Sequence, residues 1–183
     1  MRSPFVIEDL ATTPRRHLFT LLGVPWMATP YAWVGVVGRI LIGITIALMI
    51  IDESLGLRLL VGIIFGVGIE VAYFIHDIGH VIGGRIAGVP MNEALLTATR
   101  HINIYHGVQD YPSQVHILRA LGGPLLNILA GSVALFLYGL AASPMVLFFA
   151  VANYAFGFGS LIPAASLDGE VILRELRRSR RQL

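Results

Sequence analysis

The chain has 183 residues, of which 56% are hydrophobic and 13% charged, with a mean hydropathy of +0.76 and a formal net charge of +2. A soluble domain needs more polar surface than this to cover itself, so the composition points to an integral membrane protein, and the small net charge argues against nucleic acid as a partner. Cysteine is absent, which excludes disulfides and thiolate metal sites and leaves His, Asp and Glu as the side chains able to hold a metal.

In chain order, residues 1–30 read as an N-terminal cytoplasmic or interfacial segment. Arg15 and Arg16 precede a short apolar run, Leu18 to Met27, with Trp26 as its interfacial anchor. Four apolar spans follow, at about 31–51, 59–82, 117–141 and 144–163, each near the ~20 residues that cross the hydrocarbon core. Arg39, early in the first, is expected to snorkel or to face a partner; Glu70 lies within the second. The connection 83–116 is too polar to span and too apolar to be disordered. Its stretch from Leu95 to Tyr105 alternates Thr, Ile and Tyr with other residues, as expected of a short strand or hairpin at the membrane edge. His101, His106 and His116 are expected in a solvated or interfacial loop. After the fourth span come Leu167-Asp168-Gly169 and a basic cytoplasmic tail, 174–183, carrying Arg174, Arg177, Arg178, Arg180 and Arg181. Residues 31–173 are thus expected to form an all-α membrane domain of four transmembrane helices with a small strand or hairpin region.

All 13 basic residues are arginine. Apart from Arg39 and Arg58, they lie before span one, between spans two and three or just into three, or after span four. With four spans these regions share one face, which the positive-inside rule makes cytoplasmic. Both termini are therefore expected in the cytoplasm, in a bacterial or organellar inner or plasma membrane. The same topology brings the ends of spans two and four to one depth.

Span two ends in His76-Asp77-Ile78-Gly79-His80. On a helix, His76 and His80 stand one turn apart on one face, near enough to hold a single metal ion. Three polar groups in five residues are hard to explain as packing, because each is costly within a bilayer unless paired or functional; the competing explanation is an interhelical hydrogen-bond cluster. Haem or pigment ligation is the weaker option, since one macrocycle needs a single His on a given face. Asp168 is the natural third ligand by topology, or else a cap for the helix that follows. Two histidines and one carboxylate leave a position open for water, as catalytic zinc requires, although iron(II) uses the same ligand set. In span three, Gly122-Gly123-Pro124-Leu125-Leu126-Asn127 combines glycines suited to close helix approach with Asn127, an amide that must find partners. Glu70 lies two turns before Asp77, about 10 Å along the axis, too far to replace it without a water chain.

Three motifs in one order, His76-Asp77-Ile78-Gly79-His80, then Gly123-Pro124-Leu125-Leu126-Asn127, then Leu161-Ile162-Pro163 leading to Leu167-Asp168-Gly169, resemble those of the site-2 protease family of intramembrane zinc metalloproteases. That family has a core of three helices carrying H-E-x-x-H, a G-P-x-x-N-like motif and N-x-x-P…L-D-G. The resemblance covers about residues 59 to 170. It implies His76, His80 and Asp168 as zinc ligands, Asp77 as general base, and Asn127 as a contact to substrate or transition state, with the loop 83–116 receiving an unwound substrate helix. Asp77 is one methylene shorter than the family's Glu, and Ser160 stands where the family has Asn. A carboxylate drawn back by more than ~1 Å can cost ~100-fold in rate.

The expected function is hydrolysis of a peptide bond in or near a transmembrane segment of a substrate protein, with Zn2+ as cofactor. The alternative is a catalytically impaired, protease-like subunit that binds a partner helix and stabilises a larger membrane complex. The lipid bilayer and a transmembrane protein are the expected partners.

Overall fold

The computed structural model describes residue 9, residues 12–107 and residues 111–181. The start of the N-terminal segment, part of the 83–116 loop and the last two residues of the tail lie outside the described residues. The elements in order are β1 (Arg16–Leu21), β2 (Val24–Ala28), α1 (Ala32–Ile50), α2 (Leu55–Ile86), β3 (Glu93–Leu96), β4 (His101–Ile104), α3 (Ser113–Ala141), α4 (Pro144–Ser160) and α5 (Asp168–Arg180).

Three helices, α1, α2 and α3, are long and apolar enough to cross a membrane. The expected spans coincide with the first four helices, and the protein is an integral membrane protein. Helix α2 is longer than its apolar stretch implies. Its 32 residues rise about 48 Å, so the histidine motif sits well inside a continuous helix. Helix α4 has 17 residues, at the short end of what spans a bilayer, and it stops at Ser160 ahead of Pro163. Helix α5 runs across the boundary expected at 173/174, so most of the basic tail is helical.

Trp26, expected as an interfacial anchor of the run from Leu18 to Met27, is buried inside the protein. The run forms the hairpin β1–β2, turned by Leu22 (φ 48°) and Gly23 (φ 63°), the pair of positive φ values that a tight two-residue turn demands. Trp26 is 0% exposed and packs on Phe74 of α2 at 4.4 Å between ring centroids. The reason is non-local: β2 pairs in parallel with β3, Trp26 opposite Ala94, nearly 70 residues on. The expected hairpin is present as β3–β4, with Leu96 opposite His101 and Glu93 opposite Ile104. The sheet order is β1-β2-β3-β4, so β4 is an edge strand.

The sheet is fixed to the C-terminal half of α2 by a core of Val24, Trp26, Val81, Met91 and Ala94, with Phe74, Ile78 and Tyr105 packed around it. That contact lays the start of β4 over the turn carrying Asp77. On its other side α2 meets α3 through glycine. A Cβ on Gly79 would fall 2.3 Å from the Gly122 carbonyl oxygen, closer than any side chain allows. The Gly122-Gly123 pair thus serves the close approach expected of it.

Candidate metal centre

Helical periodicity turns His76 and His80 to one side of α2, and the tight α2–α3 crossing brings α3 against both rings. The imidazole Nε2 atoms lie 3.0 Å apart. Asp168, at the first turn of α5, places Oδ2 3.1 Å from His76 Nε2 and Oδ1 3.4 Å from His80 Nε2. One ligand atom from each of the three falls within 4.8 Å of the others.

The backs of the rings are equally defined. His76 Nδ1 donates to Asn127 Oδ1 at 2.7 Å, and His80 Nδ1 donates to the Arg119 carbonyl at 2.9 Å. The orientation of the Asn127 amide follows from its Nδ2, which donates to the Ala72 carbonyl and to Asn153 Oδ1, both at 2.9 Å. With both Nδ1 atoms carrying protons, the two Nε2 lone pairs and a carboxylate converge on one point. A single proton can satisfy one of these contacts; a divalent cation satisfies all three. A tetrahedral site with bonds of ~2.0 Å separates its ligands by roughly 3.3 Å; the two Nε2 atoms stand 3.0 Å apart and each lies 3.1 to 3.4 Å from an oxygen of Asp168. A Cβ on Gly123 would fall 2.5 Å from His80 Nε2 and 2.7 Å from His76 Nε2, so glycine keeps the space at the two nitrogens clear. The donor set and its supporting hydrogen bonds fit zinc.

Asn127, expected to meet substrate or transition state, is 0% exposed and stands behind His76. Its Oδ1 sets the tautomer and tilt of the His76 ring.

Asp77 lines the same cavity as the cluster and bonds to β4. It is 2% exposed, and its Oδ2 accepts a hydrogen bond of 2.5 Å from Nδ1 of His101. The expectation of a loop position for His101 is therefore corrected: its side chain is 3% exposed, because β4 lies directly on α2. His116 likewise lies within the first turn of α3, while His106 is exposed. On its far side His101 Nε2 faces Glu70 Oε1 at 3.6 Å. Glu70 Oε2 accepts from Nε of Arg39, whose side chain is 8% exposed and so pairs internally instead of snorkelling. Burial works to lower the His101 pKa, but the Asp77 charge and hydrogen bond, with Glu70 behind them, raise it to about 9. His101 is an imidazolium at neutral pH.

Sequence reasoning missed His101 and Asn153. The signal for the first was present: Asp77 and Glu70 occupy one face of α2 at i and i+7, and Arg39 can neutralise one of them. The second carboxylate needs another cation. For Asn153 the signal was an amide within an apolar helix, which must pair with another polar group.

A cavity of about 790 Å³ opens at the cluster, bounded by α2, the end of α4, the segment leading into α5, and residues 99–103 at the start of β4. His76, Asp77, His80, His101, Ser160 and Asp168 all contribute to its wall.

A helical membrane fold with a two-histidine, one-aspartate cluster at the end of its central span is the class this geometry defines. No protein-family model matches the sequence, and no curated protein matches it. Among solved structures, the site-2 protease from Methanocaldococcus jannaschii matches with a TM-score of 0.65 over 91% of this chain and 73% of that one, at 19% identity. The chain has the fold of a site-2 protease.

Proposed function

We propose that this chain is a zinc-dependent intramembrane endopeptidase that hydrolyses a peptide bond in or near a transmembrane segment of another protein, close to the cytoplasmic face. The observation that carries the reading is the convergence of His76, His80 and Asp168 beside Asp77 in a cavity bordered by the edge strand β4.

His76, His80 and Asp168 would hold the zinc. Zinc bound there would acidify water toward neutral pH and polarise the scissile carbonyl. Asn127 and the Arg119 carbonyl hold the two rings with Nε2 inward. Asp77 accepts the proton of the attacking water and passes it to the leaving amine. A helical substrate segment has its amides already bonded, so it must unwind before hydrolysis. The edge of β4 supplies backbone groups with which an extended segment can pair, and the cavity lies alongside.

The test is metal analysis of detergent-purified protein beside His80→Ala, with cleavage of a fluorogenic transmembrane peptide with and without chelator. Stoichiometric zinc lost in the variant, together with chelator-sensitive cleavage, supports the protease. Zinc without cleavage supports the second reading, a partner-binding subunit, which the burial and short reach of Asp77 favour.

A further inference from the structure

We propose that His101 is the positioning residue that allows an aspartate to serve at position 77, by gripping one carboxylate oxygen from strand β4 and leaving the other free to take the proton. The inference rests on the proteolytic reading and adds to it a residue outside the three motifs.

The argument is geometric. A carboxylate one methylene shorter than glutamate has fewer torsions and less reach, so its placement depends on what holds it. Asp77 Oδ2 is held by His101 Nδ1 at 2.5 Å, and both side chains are buried. His101 is braced in turn. Its Nε2 faces Glu70, Glu70 is bound by Arg39, and the His101 ring lies 5.1 Å from that of Tyr73, over which the Arg39 guanidinium sits at 4.9 Å. Aspartate, imidazolium, glutamate and guanidinium therefore alternate in sign along one chain, buried except at the partly exposed Glu70, which runs from the cavity to helix α1. Such a chain resists any movement of Asp77 that would break its pairing.

The location of His101 adds a second consequence. It is the first residue of β4, paired with Leu96 across the hairpin, and β4 is the edge strand beside the cavity. A substrate strand added to that edge would press on the same backbone that carries the Asp77 anchor. Seating of substrate and placement of the base thereby become one event.

The test uses the full-length protein in detergent. His101→Gln retains an amide donor without the charge. The expected result is a kcat lower by roughly 100-fold with KM nearly unchanged and zinc content intact. Asp77→Glu, forced against the braced imidazole, is expected to lose activity alone. The double variant Asp77→Glu/His101→Gln is expected to be more active than His101→Gln, since the longer carboxylate no longer needs the grip. Full activity in His101→Gln, or losses that simply multiply in the double variant, would overturn the proposal. A readout independent of turnover is the ring N–H proton of His101 in protein labelled with 15N-histidine. It should be strongly downfield in the metal-free protein and disappear in Asp77→Asn. That resonance without cleavage in any variant would overturn the protease reading and the catalytic role of His101 together; its absence with cleavage intact would overturn the role of His101 alone.

Discussion

Around His76, His80 and Asp168, three electron-pair donors face one another; along Arg39, Glu70, His101 and Asp77, opposite charges alternate. Both groups are largely buried against helix α2, yet the first gathers electron-pair donors and the second pairs each charge with an opposite one. An alternating chain can balance its charges within the protein alone, here with His101 Nε2 facing Glu70 at ion-pair distance and without a hydrogen bond. A knot of acceptors needs something added, which is why the first group reads as a binding centre and the second as the frame beside it. The two meet at consecutive residues, His76 and Asp77, because neighbouring positions on a helix project about 100° apart and so can serve different clusters.

The contrast can be broken from either end. Removing the cation from the alternating chain should have the largest effect. His101→Ala leaves Asp77 and Glu70 facing each other without their shared partner, and the expected loss of stability is ~3–5 kcal/mol, read by denaturation in detergent. The same substitution combined with Asp77→Asn and Glu70→Gln should lose clearly less. At the donor centre, Asp168→Ala removes one of roughly four ligands in a site type worth ~10–16 kcal/mol. Zinc affinity should fall on the order of 100-fold, measured by competition with a chelating dye, while the fold is kept. Asn127→Ala leaves every ligand in place and frees the His76 ring, so affinity should fall by ~10–100-fold, with part of the loss appearing as reduced kcat.

The most gradual effect is a slope with pH. His101 has a folded pKa raised to about 9 against an ordinary value of 6.5, so its contribution to stability is whole below about pH 6.5 and is lost as pH rises through about 9. Thermal unfolding of the metal-free protein across that window should show a declining midpoint, and Asp77→Asn should flatten the decline. An unchanged slope in that variant would mean that the alternating chain is not where the proton is held.

Much of the helical frame was legible in the sequence because its cause is local. Apolar stretches of spanning length, the one-turn spacing of His76 and His80, and the Gly122-Gly123 contact all follow from helix periodicity and side-chain size. The expectation that Asp168 lies near the histidines came from counting spans, and the structure brings the three side chains together. The β3–β4 hairpin was visible in its β-branched and aromatic residues.

What the tertiary structure alone decided is which distant segments meet. The run from Leu18 to Met27 is apolar enough to lie in an interface, and it becomes a hairpin because β3 offers a parallel partner nearly 70 residues later. For Asn127 the sequence said only that its amide must find partners, and the packing of α3 on α2 supplied them in His76 and Ala72. His101 carried no helical spacing to mark it, and only the seating of β4 on α2 brings it to Asp77. Periodicity records which face of an element a residue occupies; the partner on that face is set by packing between elements. For this protein the pairing of His76 and His80 was written into local spacing, whereas Asp168, the groups that orient the two rings and the imidazole that holds the neighbouring carboxylate came from contacts across 24 to 92 residues of chain.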